Sequence, residues 1–322
     1  MDALTEILKV IKLDSAIYLN AEFSEPWCLL SPESKALAPL FMPAGAHVII
    51  YHLLCEGRAY FEMDDGTRVE LSAGDLVALP HGHGHTMGSG RRVTAVDVRS
   101  TLPGFLARGL ELLNIGGGGE PCGFICGFLA CDPHLSQVFL GGLPPLIRLN
   151  IRDDASGQWL ENSLRFSVTQ AAANDPGASA MLAKLSEVFF AETLRRYQRE
   201  LPPGQTGWLA GARDPAVGRA LTLFHQRHAH PWTIPEVARE VGVSRSVLSE
   251  RFRHFLGEAP MTYLTRWRLQ LGARALLSTT NSVAQVAADV GYESEAAFNR
   301  AFKREYGLPP ARYRRDKAAP SV

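Results

Sequence analysis

The last third of this 322-residue chain writes one short helical grammar twice, and that repeat limits the fold more than any other feature. The first copy runs Thr233-Ile-Pro-Glu-Val-Ala-Arg-Glu-Val-Gly-Val-Ser-Arg-Ser-Val-Leu-Ser-Glu-Arg-Phe252. Thr233 and Glu236 have the spacing of a capping box, which starts a helix by satisfying its free backbone N–H groups. Ala238 is small, as a close contact between two helices requires. Gly242 suits the left-handed turn that ends a helix. Ser244 caps a second helix, whose Val247, Leu248 and Phe252 point inward. The second copy, Ser282 to Phe302, repeats this with Ser282 and Gln285, Ala287, Gly291, Phe298 and Phe302, and its turn is one residue longer. Each copy is followed by an echo, Gly257-Glu-Ala-Pro260 and Gly307-Leu-Pro-Pro310. One copy fits any small helical hairpin. Two copies in register, joined by a helix expected over Met261 to Leu277, are far more specific.

Charge separates this region from the rest. Net charge is zero overall, but from Gly211 onward 17 Lys and Arg stand against 10 Asp and Glu, leaving 16 against 23 before it. A basic tail behind an acidic front suits a polyanionic partner for the tail alone. The composition, 46% hydrophobic and 20% charged, is that of a globular protein. At roughly 100–200 residues per domain, the length implies more than one domain. No apolar run is long enough to cross a bilayer. The start, Met1-Asp2-Ala3-Leu4-Thr5-Glu6, lacks the pattern of a secretory leader, so a cytoplasmic protein without a membrane partner is expected. The five cysteines, Cys28, Cys55, Cys122, Cys126 and Cys131, are an odd count, which argues against a disulfide framework.

Up to about Asp132 the text reads as strands. His47-Val-Ile-Ile-Tyr-His-Leu-Leu54 is β-branched and apolar, Arg58 to Met63 alternates, Asp64-Asp65-Gly66 makes a hairpin turn, and Thr67 to Leu71 alternates again. Short strands punctuated by turns suggest a sandwich or barrel. From Leu143 to Glu200 apolar residues recur at helical spacing, as in Met181, Leu182, Leu185, Val188, Phe189 and Leu194. Leu201-Pro-Pro-Gly-Gln-Thr-Gly207 has linker composition. The expected architecture is multidomain α+β: a β-barrel over 1–142, a helical connector over 143–205 that relays a signal or forms a dimer interface, and an all-α domain with two helix-turn-helix units over 213–317.

The tail resembles the DNA-binding domain of the AraC/XylS family of bacterial transcription regulators. The matching text includes Val237-Ala238, Gly242, Leu248, Phe252, Gly257, Pro260, Tyr263-Leu-Thr-Arg-Trp-Arg-Leu269, Ala287, Gly291-Tyr292, Phe298, Phe302-Lys303, Gly307 and Pro309-Pro310. The resemblance implies that each unit lays its second helix in the major groove of double-stranded DNA, on adjacent turns of one face. By the same resemblance the base-facing residues are Arg245, Ser246, Ser249 and Glu250 in one unit and Glu295, Ala296, Asn299 and Arg300 in the other. Arg and Asn are the natural readers of guanine and adenine. Arg251, Arg253, Lys303 and Arg304 would hold phosphates or lie on a solvated face. RNA polymerase is the further partner the family implies.

The front half resembles cupins. Gly74-Asp-Leu-Val-Ala-Leu-Pro80-His-Gly82-His-Gly-His85 fits their motif G-x5-P-x-G-x-x-H. The metal ligands of cupin enzymes fall, in this register, on Ala44, Ala46 and Ile49, which counts against dioxygenase or isomerase chemistry. Tyr51-His52, His85 and Cys126-Gly127 resemble a subgroup of cupin-type regulators that responds to reactive chlorine species, although a cysteine that subgroup oxidises stands here as Ala21. The resemblance implies a small-molecule, metal or oxidant effector. His52, His85 and Cys126, with Cys28 or Cys122, are candidate ligands for zinc or another divalent metal. Cys126 and Cys122, four apart on one strand, face the same side and are candidate redox residues. The competing readings are buried hydrophobic cysteines beside a hydrogen-bonded rim of His81, His83 and His85, a cupin metalloenzyme fused to a DNA-binding tail, and a barrel that only dimerises.

Overall fold

The computed structural model describes residues 2–8, 13–40, 47–108, 113–131 and 139–318. Ala44 and Ala46 lie outside them. The chain divides into two compact units, Lys12–Pro133 with Pro144–Glu200, and Met1–Ile11 with His134–Leu143 and Leu201–Val322. This differs from the expected division in two ways. The helical connector belongs with the strands, and the first helix of the chain belongs with the tail.

Among the described residues, the first unit is built on eleven strands in two sheets. They are β1 (Leu13–Ser24), β2 (Trp27–Ser31), β3 (His47–Glu56), β4 (Arg58–Met63), β5 (Arg68–Ser72), β6 (Asp75–Leu79), β7 (His85–Ser89), β8 (Val96–Asp97), β9 (Leu113–Gly116), β10 (Pro121–Cys131) and β11 (Ile147–Asn150). One sheet has the order β11-β6-β3-β10-β1-β9, the other β5-β4-β7-β2-β8. Alternation sets the inner face. Cys122, Phe124, Cys126, Phe128 and Ala130 of β10 join Ile50 and Leu54 of β3 and Phe61, Leu29 and Met87 of the second sheet in one core. The expected turn at Asp64-Asp65-Gly66 closes the β4–β5 hairpin, with Gly66 at φ +85°.

Gly123, Ile125, Gly127 and Leu129 of β10 lie on the opposite face from that core, which a pair of helices covers, α4 (Ala155–Ala172) and α5 (Ala178–Glu200). (The shorter α2, Ser34–Leu37, and α3, Val98–Arg108, precede them.) Gly127 is needed there, because a Cβ on it would come within 2.3 Å of the Tyr51 ring. That ring in turn packs 4.9 Å from Phe189 of α5. Ion pairs fasten the two helices. Arg196, whose side chain is only 4% exposed, binds Asp154 at 2.5 Å and Glu192 at 2.7 Å, and Asp154 also caps α4 through the Gly157 N–H.

The second unit holds α1 (Ala3–Leu8), α6 (Trp208–Arg213), α7 (Pro215–Gln226), α8 (Ile234–Val241), α9 (Arg245–Leu256), α10 (Pro260–Ser278), α11 (Val283–Asp289), α12 (Glu295–Tyr306) and α13 (Pro310–Ala318). Helix α1 buries Ala3, Leu4 and Ile7 and packs on α7, where Gln226 donates to Glu6 at 3.1 Å. Phe139 meets Trp208 edge-on at 5.0 Å. The two helical hairpins, α8–α9 and α11–α12, are joined by α10. Arg268 of α10 donates to the carbonyls of His228 and His230 at 2.6 and 2.7 Å, tying the linking helix to the loop after α7. Gly291 has no room for a side chain, because a Cβ would lie 2.6 Å from the Cα of Ala229 in that loop.

Candidate nucleic-acid interface and barrel site

The paired grammar produces paired geometry. Thr233 accepts from the Glu236 N–H at 3.4 Å and Ser282 from the Gln285 N–H at 3.1 Å. The Glu236 carboxylate pairs with His230 at 2.8 Å, and the Gln285 amide donates to Asp289 at 2.7 Å. Ser244 and Ser294 cap α9 and α12, and Gly257 and Gly307, both with positive φ, end them. Leu248 and Phe252 on one helix, Phe298 and Phe302 on the other, are fully buried. Val247, expected inside, is only partly buried.

Burial of that stripe leaves the opposite face of each helix outward. Arg245, Ser246 and Glu250 are exposed on α9, and Glu295, Ala296, Arg300, Lys303 and Arg304 on α12. Ser249 and Asn299 are half-buried. The Asn299 amide donates to the Glu295 carbonyl at 3.1 Å, so reading a base requires it to turn outward. Arg251 departs from its expected phosphate role. Its guanidinium binds Asp214 at 2.8 Å, and the other oxygen of Asp214 caps α7 through the Ala216 and Val217 N–H groups, so Arg251 holds two helices together. Arg314 is likewise spent on carbonyls, Leu276 at 2.8 Å and Asn281 at 2.6 Å. Sequence reading missed these structural arginines, since an arginine that binds a carboxylate or a backbone carbonyl looks like one that binds phosphate.

In the barrel, strand register brings the expected residues together. Cys126 of β10 pairs directly with His52 of β3, and both face inward. The Cys126 Sγ lies 2.9 Å from His52 Nδ1, His52 Nε2 lies 3.0 Å from His85 Nε2, and His85 Nδ1 lies 3.0 Å from the His83 carbonyl. That carbonyl fixes the protons along the whole chain. It can only accept, so His85 Nδ1 carries hydrogen and, in neutral His85, Nε2 accepts. His52 therefore donates from Nε2 and accepts at Nδ1, from the Cys126 thiol. Burial holds all three groups uncharged: it pulls His52 well below its ordinary value, pulls His85 down to about 4, and pushes the Cys126 thiol far up.

This arrangement corrects the expected metal set. Cys126 and His85 sit on opposite nitrogens of one imidazole ring, so the three donors form a line and do not converge on a single ion. Among the described residues, no group of three or more His, Cys, Asp or Glu side chains is arranged to hold a metal. Cys28 points elsewhere: its neighbours Trp27 and Leu29 enter the core, while its sulfur accepts from the Tyr60 hydroxyl at 3.4 Å. Ile49, at a position that cupin enzymes use for a ligand, lies outside the inner core cluster. Cys122 does face inward with Cys126, but four residues of strand separate them by about 13 Å, well beyond disulfide reach. The chain of donors lines a cavity of about 40 Å³ whose wall is otherwise apolar apart from Ser31 and includes Ala21, Leu29, Met87 and Val98.

The comparisons agree with this architecture. Residues 2–199 match the cupin family, and residues 237–316 match a helix-turn-helix domain family. The chain is 30% identical over 319 residues to an AraC-like transcription regulator of Streptomyces antibioticus, spanning 98% of this chain and 99% of the relative. It is 28% identical to the HTH-type transcriptional regulator AlkR of Acinetobacter baylyi, over 98% of this chain and 99% of that one. It is 27% identical to the RCS-specific HTH-type transcriptional activator RclR of Escherichia coli, over 98% of this chain and 97% of that one. With a cupin front half and a tandem helix-turn-helix tail, this chain belongs to the AraC-like family of DNA-binding transcription regulators.

Proposed function

We propose that the barrel of this regulator senses a small oxidant through Cys126, and that the response changes how α9 and α12 hold DNA. The observation that carries this reading is the hydrogen-bonded line Cys126–His52–His85 on a cavity of about 40 Å³. A space of that size takes a few waters or a molecule of a few heavy atoms. Hypochlorous acid fits this limit, in keeping with the RCS-specific relative. The thiol sulfur attacks chlorine, the S–Cl bond forms and the Cl–O bond breaks. The thiol proton passes to His52 Nδ1, and the hydroxide that leaves takes up a proton from the imidazole, giving water. His52 is the positioned base that makes a buried, protonated thiol competent.

The DNA side of the proposal assigns Arg245 and Arg300 to base edges, with Asn299 turning out to join them, and Lys303 to phosphate. The two helices carry different outward residues, so the two half-sites differ in sequence. A second copy of the chain docks on α4 and α5. Trp159 and Phe166, each 59% exposed, stand two turns apart on α4, and Met181 and Val188, 43% and 46% exposed, stand two turns apart on α5.

The test is an operator-binding titration of the full chain before and after hypochlorite, with mass spectrometry of Cys126. A shift in affinity that tracks modification of Cys126 supports the reading. An unchanged shift in Cys126→Ser rejects it.

A further inference from the structure

A second cavity lies on the outer face of the six-stranded sheet, away from the histidine line. It measures about 210 Å³ and sits between β1, β10 and β3 on one side and α4 on the other. An irregularity in the strands builds it. In the β3–β10 ladder Gly123 pairs with Glu56 and Phe124 with Leu54, so Cys55 is an extra residue without a Cα partner. A bulge of this kind re-aims side chains. Here it puts two successive residues, Cys55 and Glu56, on one cavity.

On the other edge of β10, Glu22 pairs with the same Gly123. A row therefore crosses three strands as Glu22, Gly123, Glu56, with no side chain in the middle. At a strand spacing of about 4.8 Å, the backbones of the two glutamates stand roughly 10 Å apart. The glycine is not demanded by the backbone. A Cβ on Gly123 would meet only Glu56, at an ordinary 3.6 Å, so the small residue leaves floor space without serving a turn.

The roof comes from α4. Val168 is buried, and Arg165 is exposed one turn before Thr169. The nearest carboxylate to Arg165 is that of Glu161, at 3.8 Å, and Glu161 already takes two hydrogen bonds from Arg152, at 2.7 and 2.5 Å. Arg165 thus keeps donors to offer. Burial pushes the Cys55 thiol up to about 11, so it stays neutral and adds no competing charge.

We propose that this cavity binds a small amino-carboxylate zwitterion the size of a free α-amino acid. Its ammonium group sits between Glu22 and Glu56, its carboxylate faces Arg165, and its side chain lies on Ile125 and Val168. Two carboxylates against one guanidinium favour a ligand that carries an amine over a simple anion. The site has its floor on the barrel and its roof on the helical hairpin, so an occupant steadies α4 against the sheet.

Calorimetric titration of the full chain with each common α-amino acid tests this, with butylamine and butyrate as probes that lack one charge. At least one amino acid should bind with a dissociation constant of about 1 mM or tighter, and neither probe should bind as well. Loss of one charge-assisted contact, in Glu56→Gln or in Arg165→Gln, should weaken binding about 10- to 100-fold. Gly123→Val should fill the floor and abolish binding. The exposed Glu56 and Arg165 variants keep the test decisive if that variant folds poorly. No binding by any amino acid at about ten times that concentration overturns the proposal. Equal binding of butylamine, or binding unaffected by both charge variants, overturns it as well.

Discussion

Cys126 donates its thiol hydrogen to His52 Nδ1 across 2.9 Å, and the direction of that bond is decided by a carbonyl that touches neither residue. The His83 carbonyl fixes His85, His85 fixes His52, and His52 fixes the thiol. The line is a single tautomeric unit.

Breaking the line should therefore matter more than deleting volume. His52→Gln is expected to slow the reaction of Cys126 with hypochlorite by about 10²-fold or more, the scale of a lost positioned base. Stopped-flow quenching followed by mass spectrometry checks this. An unchanged rate would show that the imidazole is only packing.

Acid should loosen the barrel through the same residues. His85 titrates at about 4 in the fold and near its ordinary 6.5 when unfolded, so the unfolded chain binds the extra proton in between. Stability is expected to be full above pH 6.5 and to fall as pH drops toward 4. Replacing His85 by Phe should remove its share of that slope and leave the share of His52, read from denaturant midpoints across pH.

Ala21 stands on the wall of the cavity that Cys126 lines. Ala21→Cys places a second thiol there and should raise the sensitivity of DNA binding to hypochlorite. A dose–response curve identical to that of the parent chain would separate position 21 from sensing.

For the DNA-binding unit, Arg300→Ala should cost about 10- to 100-fold on the operator, the scale of one lost bidentate base contact. Binding to random DNA should change little. Arg251→Ala should instead lower the melting temperature, because Arg251 clamps Asp214. Fluorescence anisotropy and thermal denaturation of both variants distinguish the two roles.

Gly127 should tolerate nothing larger. Gly127→Val drives a side chain into the Tyr51 ring, and overpacking of this kind costs about 1–3 kcal/mol. Trp159→Glu with Phe166→Glu should leave the fold intact and convert the proposed dimer to monomers in sedimentation.

The tail was legible because its signals are local. Ser244, Gly242 and Ala238 each act within a few residues, and each acts as expected. In the barrel, membership of the site was legible and its connectivity was not. His52, His85 and Cys126 could be named from the sequence, but only the β3–β10 register makes Cys126 the partner of His52, and a slip of one residue would turn it outward. The bulge at Cys55 left no mark in the text, since nothing near Leu54-Cys55-Glu56 departs from an ordinary strand. The position of α1 was equally silent. Six residues are too few to announce a partner in α7, more than two hundred residues away.

That last contact has a practical edge. Helix α1 rests on α7 in the same compact unit as the two helix-turn-helix hairpins. A purification tag fused ahead of it is a tag on the part that handles DNA. Helix α1 has no partner until α7, more than two hundred residues later, has been made, so a fragment that begins at Gly211 leaves the α7 surface bare where Leu4 and Ile7 belong.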